Sequence, residues 1–299
     1  GNTPGPQQSV EFSYPAEYHF YPPDTVGGLE LSAHEAAAGL HARGHAIEVL
    51  TCEWRKAGLQ EIAPFPVHRV LRYSFPAQYY GHRIRTIPRR IRDAFSNARV
   101  GRHNLAIAEQ FAKEHAFDVV YVWGFSGVSP AVTLPFSNAG TPIVWHVGDF
   151  NLRERMKPHW INRVIYALAG SRWAALERTV DLRRVLANSE FTRKAYIARG
   201  FAPESLAVVY RGVSREVLDA PPEPKTQPPV VLMACRITMQ KGVEVALRAM
   251  RALRALAPEL HARLQVVGTG DGPYVDHVRE LIGELELGDC VELLGFRQH

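Results

Sequence analysis

Beyond Pro22, short apolar runs alternate with stretches in which apolar residues return every three or four positions. That alternation predicts βαβ units and a mostly parallel sheet. Strands are expected over 46–50, 118–123, 142–147, 184–187 and 206–210, with helices over 29–42, 88–114, 129–138 and 189–199. In the first helix Leu29, Ala33, Ala36, Ala37 and Leu40 keep helical spacing, and Gly44 supplies the stop. In the second, Pro88 suits a first-turn position, and Ile91, Ala94, Phe95 and Ala98 form an apolar stripe opposite Arg89, Arg92 and Arg99. A first strand is read at 16–20, where Ala16, Tyr18 and Phe20 alternate with Glu17 and His19. It matches a central parallel strand poorly, since such strands are apolar on both faces.

The segment 218–229 holds five prolines in twelve residues, a composition that ends helices and central strands and reads as a linker. It separates a domain over 1–217 from one over 230–299. The second domain repeats the pattern: strands over 230–234, 263–267 and 291–294, and helices over 242–256 and 274–285. Three strands and two helices make half of a doubly wound sheet, so the last strand is expected to show an open edge and an uncovered apolar face.

With 299 residues and 46% apolar content the chain supports two cores. No run approaches the roughly 18 apolar residues of a membrane span, and the polar start has no leader pattern, so a cytoplasmic protein is expected. Cys52, Cys235 and Cys290 are too scattered for a disulfide framework or a paired-cysteine metal motif. The net charge of +5 is concentrated: nine arginines lie between His68 and His103 against one acid, Asp93. Interleaved with Tyr73, Phe75, Tyr79, Tyr80 and Phe95, they fit nucleic acid, an anionic membrane or an acidic substrate, or else a solvated basic face.

Two loops carry the signals for phosphate chemistry. Arg236-Ile-Thr-Met-Gln-Lys241-Gly242 leaves a strand read as buried and opens a helix, so two cations and a helix N-terminus meet where a pyrophosphate binds. Gly27-Gly28 stands where a first strand passes into a helix, and glycines there let a backbone approach a ligand. The turn Gly268-Thr-Gly270-Asp-Gly-Pro273 fails the dinucleotide fingerprint because Pro273 takes the place of the last glycine. Ser126 in Gly124-Phe-Ser-Gly-Val128 lacks the final glycine of a hydrolase elbow. His34-Glu35 lacks a second histidine, so no zinc is expected, and no Asp-x-Asp clamp for a metal diphosphate occurs.

Taken with Arg43-Gly-His-x-Ile-Glu-Val-Leu-Thr51, Ala187-Asn-Ser-x-Phe191, Val266-Val-Gly268 and Val291-Glu-Leu-Leu-Gly295, these motifs resemble the retaining GT-B glycosyltransferases of family four, or group one. The resemblance implies an α/β fold of two Rossmann-like doubly wound domains facing a cleft, the second incomplete here. It implies a nucleotide diphosphate sugar donor and no cofactor. Gly27, Gly28, Arg236 and Lys241 would hold the donor diphosphate, with Glu30, Asp149, Gly268 and Gly270 along the same cleft. His146 is the catalytic candidate: Gly148 occupies the family's histidine position, and His146 lies two residues earlier on one strand face. Arg211 and Ser214 stand where Asn and Asp are usual, and Cys235 where glycine is usual.

The glutamate pair of that family would follow His299, so these residues alone are expected to show little or no transfer. The expected acceptor is lipid-linked or part of the cell envelope, met at the inner membrane face through Arg83, Arg85, Arg89, Arg90 and Arg92. Nucleic acid is not an expected partner. A nucleotide-binding protein without chemistry, or a hydrolase using Ser126, are the alternative readings.

Overall fold

The structure, a computed structural model, describes residues 8–13, 21–23, 28–53, 61–73, 87–124, 128–148, 176–213, 215–221, 227–270 and 272–297. The chain divides into two compact units, Gly1–Gly212 and Val213–His299.

The first unit is built on strands β1 (Gln8–Ser13), β2 (Ala46–Cys52), β3 (Val67–Leu71), β4 (Val119–Trp123), β5 (Ile143–Val147), β6 (Val185–Ala187) and β7 (Leu206–Val208). They form one sheet in the order β3-β2-β1-β4-β5-β6-β7, and every neighbouring pair is parallel. The order reverses between β1 and β4, which marks the sheet's switch point. Helices α1 (Gly28–His41), α2 (Ile87–Glu114), α3 (Leu134–Asn138) and α4 (Glu190–Ala198) connect the strands.

Helix α1 buries Ala33 and Ala37, and Gly44 closes its end with φ 90°. Small residues bring the helix close to β2, where Ile47 and Val49 join Tyr21 and Phe65 in a core of their own. The larger core runs from β4 and β5 to α2 and α3. Its largest member, Trp145, is fully buried and donates its indole N–H to the Asp181 carbonyl at 2.7 Å.

Three sequence expectations are corrected here. The strand that enters the sheet first is Gln8–Ser13, while residues 16–20 lie outside the described residues. Its alternating polar residues hid it from a rule that expects central strands to be apolar throughout. The helix expected over 129–138 is broken into a 3-10 turn, Pro130–Thr133, and α3, because Pro135 has no N–H to continue the ladder. Ser129 caps the turn by accepting from Ala131 N at 3.2 Å. Finally, β7 stops at Val208 rather than at residue 210, since it is an edge strand whose ladder ends with Val209 N donating to the Ala187 carbonyl.

In the second unit β8 (Val230–Ala234), β9 (Arg263–Val267) and β10 (Val291–Gly295) form a parallel sheet in the order β10-β9-β8. A short helix α5 (Arg215–Asp219) precedes it, and α6 (Val243–Leu256) and α7 (Gly272–Glu284) pack on it through Val243, Leu247, Val278 and Leu281. Helix α5 runs into the segment read as linker, and residues 222–226 of that segment lie outside the described residues. The uncovered apolar surface falls on β8, the first strand, whose Val231 and Leu232 are 45% and 63% exposed. With β9 as its one neighbour among the described residues, β8 is not the buried strand expected before Arg236.

Candidate active site

Arg236 and Lys241 stand on the loop between β8 and α6, and both are exposed. Hydrogen bonds from Thr238 N to the Arg236 carbonyl at 2.9 Å, and from Lys241 N to the Thr238 carbonyl at 3.0 Å, fold the loop tightly. Lys241 ends a 3-10 turn, and Gly242 then takes φ 72°, ψ 28° as the residue before α6. A side chain would strain that left-handed position. The loop thus delivers two cations to the N-terminal end of a 14-residue helix, a setting that favours anions.

The loop after β9 lies directly against it. Ile237 N donates to the Thr269 carbonyl at 2.8 Å, Cys235 N donates to the Val267 carbonyl at 2.9 Å, and Ile237 and Gly270 form a parallel bridge. A Cβ on Gly268 would overlap the carbonyl oxygen of Cys235, and one on Gly270 that of Ile237. Gly268 also has φ 138°. The chain's own backbone therefore requires glycine at both positions, and the requirement serves to seat the Arg236 loop.

In the first unit, β5 carries His146 beside Trp123 of β4, its register partner. The two rings stack with centroids 4.0 Å apart, and the Tyr121 hydroxyl is 2.7 Å from His146 Nδ1. His146 is 3% exposed, and among the described residues its Nε2 and the Trp123 indole nitrogen have no hydrogen-bond partner. Burial first, and then the charge of Arg211, holds the imidazole pKa down at about 4, so the ring is neutral at neutral pH. Gly148 ends this strand region beneath Arg211 and Asn188: a Cβ there would stand 2.9 Å from Arg211 Nη2 and 3.3 Å from Asn188 Nδ2. The whole group lies at the carboxyl ends of β4, β5 and β6, next to the switch point, where open α/β sheets take ligands.

The structure treats the other sequence candidates unevenly. Gly28 begins α1, is exposed, and a Cβ on it would meet nothing within 4 Å. Glu30 is buried, at 2% exposure, in the first turn of α1, where a carboxylate suits the helix dipole. Gly27, Ser126, Asp149, Arg83 and Arg85 lie outside the described residues, as do the side chains of Arg89, Arg90 and Arg92 on α2. Two arginines of the basic stretch have structural work instead: Arg69 pairs with Glu61 and donates to the Pro22 carbonyl at 2.7 Å, and Arg72 pairs with Glu53. His34 packs on Tyr21, its Nδ1 3.2 Å from the phenol oxygen.

Sequence reasoning did not single out Tyr121 or Trp123, and it met Asn188 only as part of the Ala187-Asn-Ser-x-Phe191 motif, with no role. Strand pairing rather than spacing gathers the three. A cavity of about 320 Å³ in the second unit, lined by Pro228, Arg254, Arg263 and Asp289 among others, opens at the strands' amino ends, the opposite side from Arg236.

Known structures share this architecture. HepE from Anabaena, in complex with UDP and glucose, is 18% identical, with a TM-score of 0.60 over 98% of this chain and 70% of its own. Sucrose-phosphate synthase from Thermosynechococcus elongatus is 16% identical, with a TM-score of 0.61 over 98% and 71% of the two chains. WaaG, a glycosyltransferase involved in lipopolysaccharide biosynthesis, is 17% identical, with a TM-score of 0.57 over 97% and 70%. No curated protein matches the chain in sequence at a significant level. The family model described as Glycosyltransferase Family 4 matches residues 26–217, and that described as Glycosyl transferases group 1 matches residues 214–299. With a match over well more than half of its residues, and a fold shared with GT-B enzymes, the chain belongs to glycosyltransferase family 4.

Proposed function

We propose that this protein moves a sugar from a nucleoside diphosphate to an acceptor with retention of configuration, in the synthesis of a glycan, glycolipid or cell-envelope polymer. The observation that carries the reading is the loop joining β8 to α6, which holds Arg236 and Lys241 at a strand's carboxyl end and a helix N-terminus. HepE, with UDP bound, lends the donor class, and WaaG the envelope setting.

Breaking the bond between sugar and phosphate leaves negative charge on the departing diphosphate. A fixed guanidinium, an ammonium and the N–H groups opening α6 stabilise that charge without reorganising as it forms. In this reading they take the place of a metal clamp, in keeping with a sequence that has no Asp-x-Asp. His146 serves as a neutral imidazole. In this reading Tyr121 donates to Nδ1, which leaves the ring proton on the buried Nε2. The acceptor is lipid-linked, and the arginines at 83, 85, 89, 90 and 92 draw the protein to an anionic membrane from the cytoplasmic side. Among the described residues no helix is long and apolar enough to cross a membrane.

Titration with UDP and GDP tests the donor site. The wild type is expected to bind one of them, and the double variant Arg236→Ala/Lys241→Ala to lose about a hundredfold in affinity, from two charge-assisted contacts of about 1.5 kcal/mol or more each. Unchanged affinity overturns the assignment.

A further inference from the structure

The surroundings of Gly148 form a second cationic site, in the first unit. Two N–H donors from separate elements flank its bare face. Arg211 Nη2 would stand 2.9 Å from a Cβ at 148, with Cζ at 3.9 Å, and Asn188 Nδ2 would stand at 3.3 Å. The three nearest atoms all belong to these two side chains, so the missing side chain of residue 148 is what makes room for the guanidinium.

The orientation of Asn188 is fixed by a directed chain. Thr192 N donates to Ser189 Oγ at 3.1 Å, and the two hydroxyl oxygens lie 3.0 Å apart. The Thr192 hydroxyl donates to Asn188 Oδ1 at 2.8 Å. With its oxygen engaged there, the Asn188 amide turns its two N–H bonds to the Gly148 side.

Among the described residues, the two polar atoms nearest a Cβ at Gly148 are both N–H donors. Among the described residues Arg211 has neither an ion-pair nor a hydrogen-bond partner, whereas Arg69, Arg72 and Arg183 of this unit are each paired with a carboxylate. His146, two residues back on the same strand face, is 3% exposed with Nε2 unpartnered, and it is held neutral partly by the Arg211 charge. A planar guanidinium beside an amide N–H suits a carboxylate or a phosphate monoester, which accept two parallel hydrogen bonds.

We infer that Arg211 and Asn188, over the bare backbone of Gly148, bind an anionic group carried by the sugar acceptor, so that this transferase selects a phosphorylated or uronic acceptor over a neutral one. This rests on the transferase reading above. The second unit's Arg236 loop already offers the cations for the donor diphosphate, which leaves Arg211 for the other substrate.

The test is calorimetric titration of the protein with glucose, glucose 6-phosphate and glucuronate, and separately with UDP and GDP. At least one charged sugar is expected to bind ten or more times tighter than glucose, and which one distinguishes phosphate from carboxylate. Arg211→Gln is expected to abolish that preference. Gly148→Ala, whose new methyl displaces Nη2, is expected to weaken it severalfold. Both variants should keep the wild-type melting temperature within a few degrees, since Arg211 is exposed and Gly148 is not in the left-handed region. Equal binding of all three sugars, binding of none, or a preference that survives Arg211→Gln overturns the inference. A loss of UDP affinity in Arg211→Gln also overturns it, because the arginine would then serve the donor. Failure of UDP and GDP to bind the wild type, with the charged-sugar preference intact, sinks the transferase reading and leaves the anion site standing.

Discussion

The imidazole of His146 lies flat against the indole of Trp123, with the two planes 16° from parallel. Cross-strand register puts them there: Trp123 and His146 are Cα partners on β4 and β5, so their side chains leave the sheet together. Protonating the ring would place a charge in a site that is 3% exposed and already near Arg211. The folded pKa of about 4 lies below the ordinary 6.5 of the unfolded chain, so the unfolded state binds more protons between these values. The contribution is therefore fully present above pH 6.5 and is lost as pH falls toward 4. Chemical denaturation at pH 7 and pH 4.5 is expected to show about 2–3 kcal/mol more loss in the wild type than in His146→Gln. Parallel pH profiles for the two proteins contradict this.

Gly268 and Gly270 give a prediction of the opposite kind, about backbone contact. Alanine at either position must push away a carbonyl of the Arg236 loop, at Cys235 or at Ile237. Each substitution is expected to destabilise the second unit by about 3 kcal/mol and to weaken UDP binding in proportion to the displacement of Arg236. Thermal unfolding combined with nucleotide titration checks both effects. By contrast Gly28→Ala, with open space around it, is expected to change stability by less than about 1 kcal/mol.

Asn104 is a third point of leverage. It is 1% exposed on α2, accepts from Arg72 N at 2.7 Å and donates to the Arg72 carbonyl at 2.7 Å, tying the helix to the end of β3. Asn104→Ala removes both bonds and leaves the Arg72 backbone N–H and C=O without their partner. The expected cost is about 2–4 kcal/mol, read as a fall in the denaturant midpoint at constant slope.

Two strands were readable to the residue: β8 over 230–234 as a continuous apolar run, and β9 over 263–267, where Leu264, Val266 and Val267 stand with Arg263 and Gln265. Strand β3 was missed because Val67-His-Arg-Val-Leu71 carries His68 and Arg69 in its middle. Both polar side chains are tolerated since the strand lies at a sheet edge, where His68 reaches Glu48 and Arg69 reaches Glu61. The Arg236 loop was legible for a local reason, as all of its chemistry falls within seven residues ending at Gly242. The group around His146 was only half legible. Tyr121, Trp123, Asn188 and Arg211 come from β4, the end of β6 and the segment after β7, and only parallel pairing brings them together.

Strand β8 has a practical consequence for anyone handling the protein. Its outer side offers a row of amide groups with no neighbouring strand among the described residues, flanked by the half-bare Val231 and the mostly bare Leu232. Such a surface is a template on which a further strand can grow, so molecules in concentrated stock should stick to one another through it. Light scattering is expected to show particle size rising with concentration for the wild type. The lysine of Leu232→Lys, a charge set on that seam, should keep the preparation uniform. Purification yield would then be governed by one leucine side chain rather than by how firmly either unit is folded.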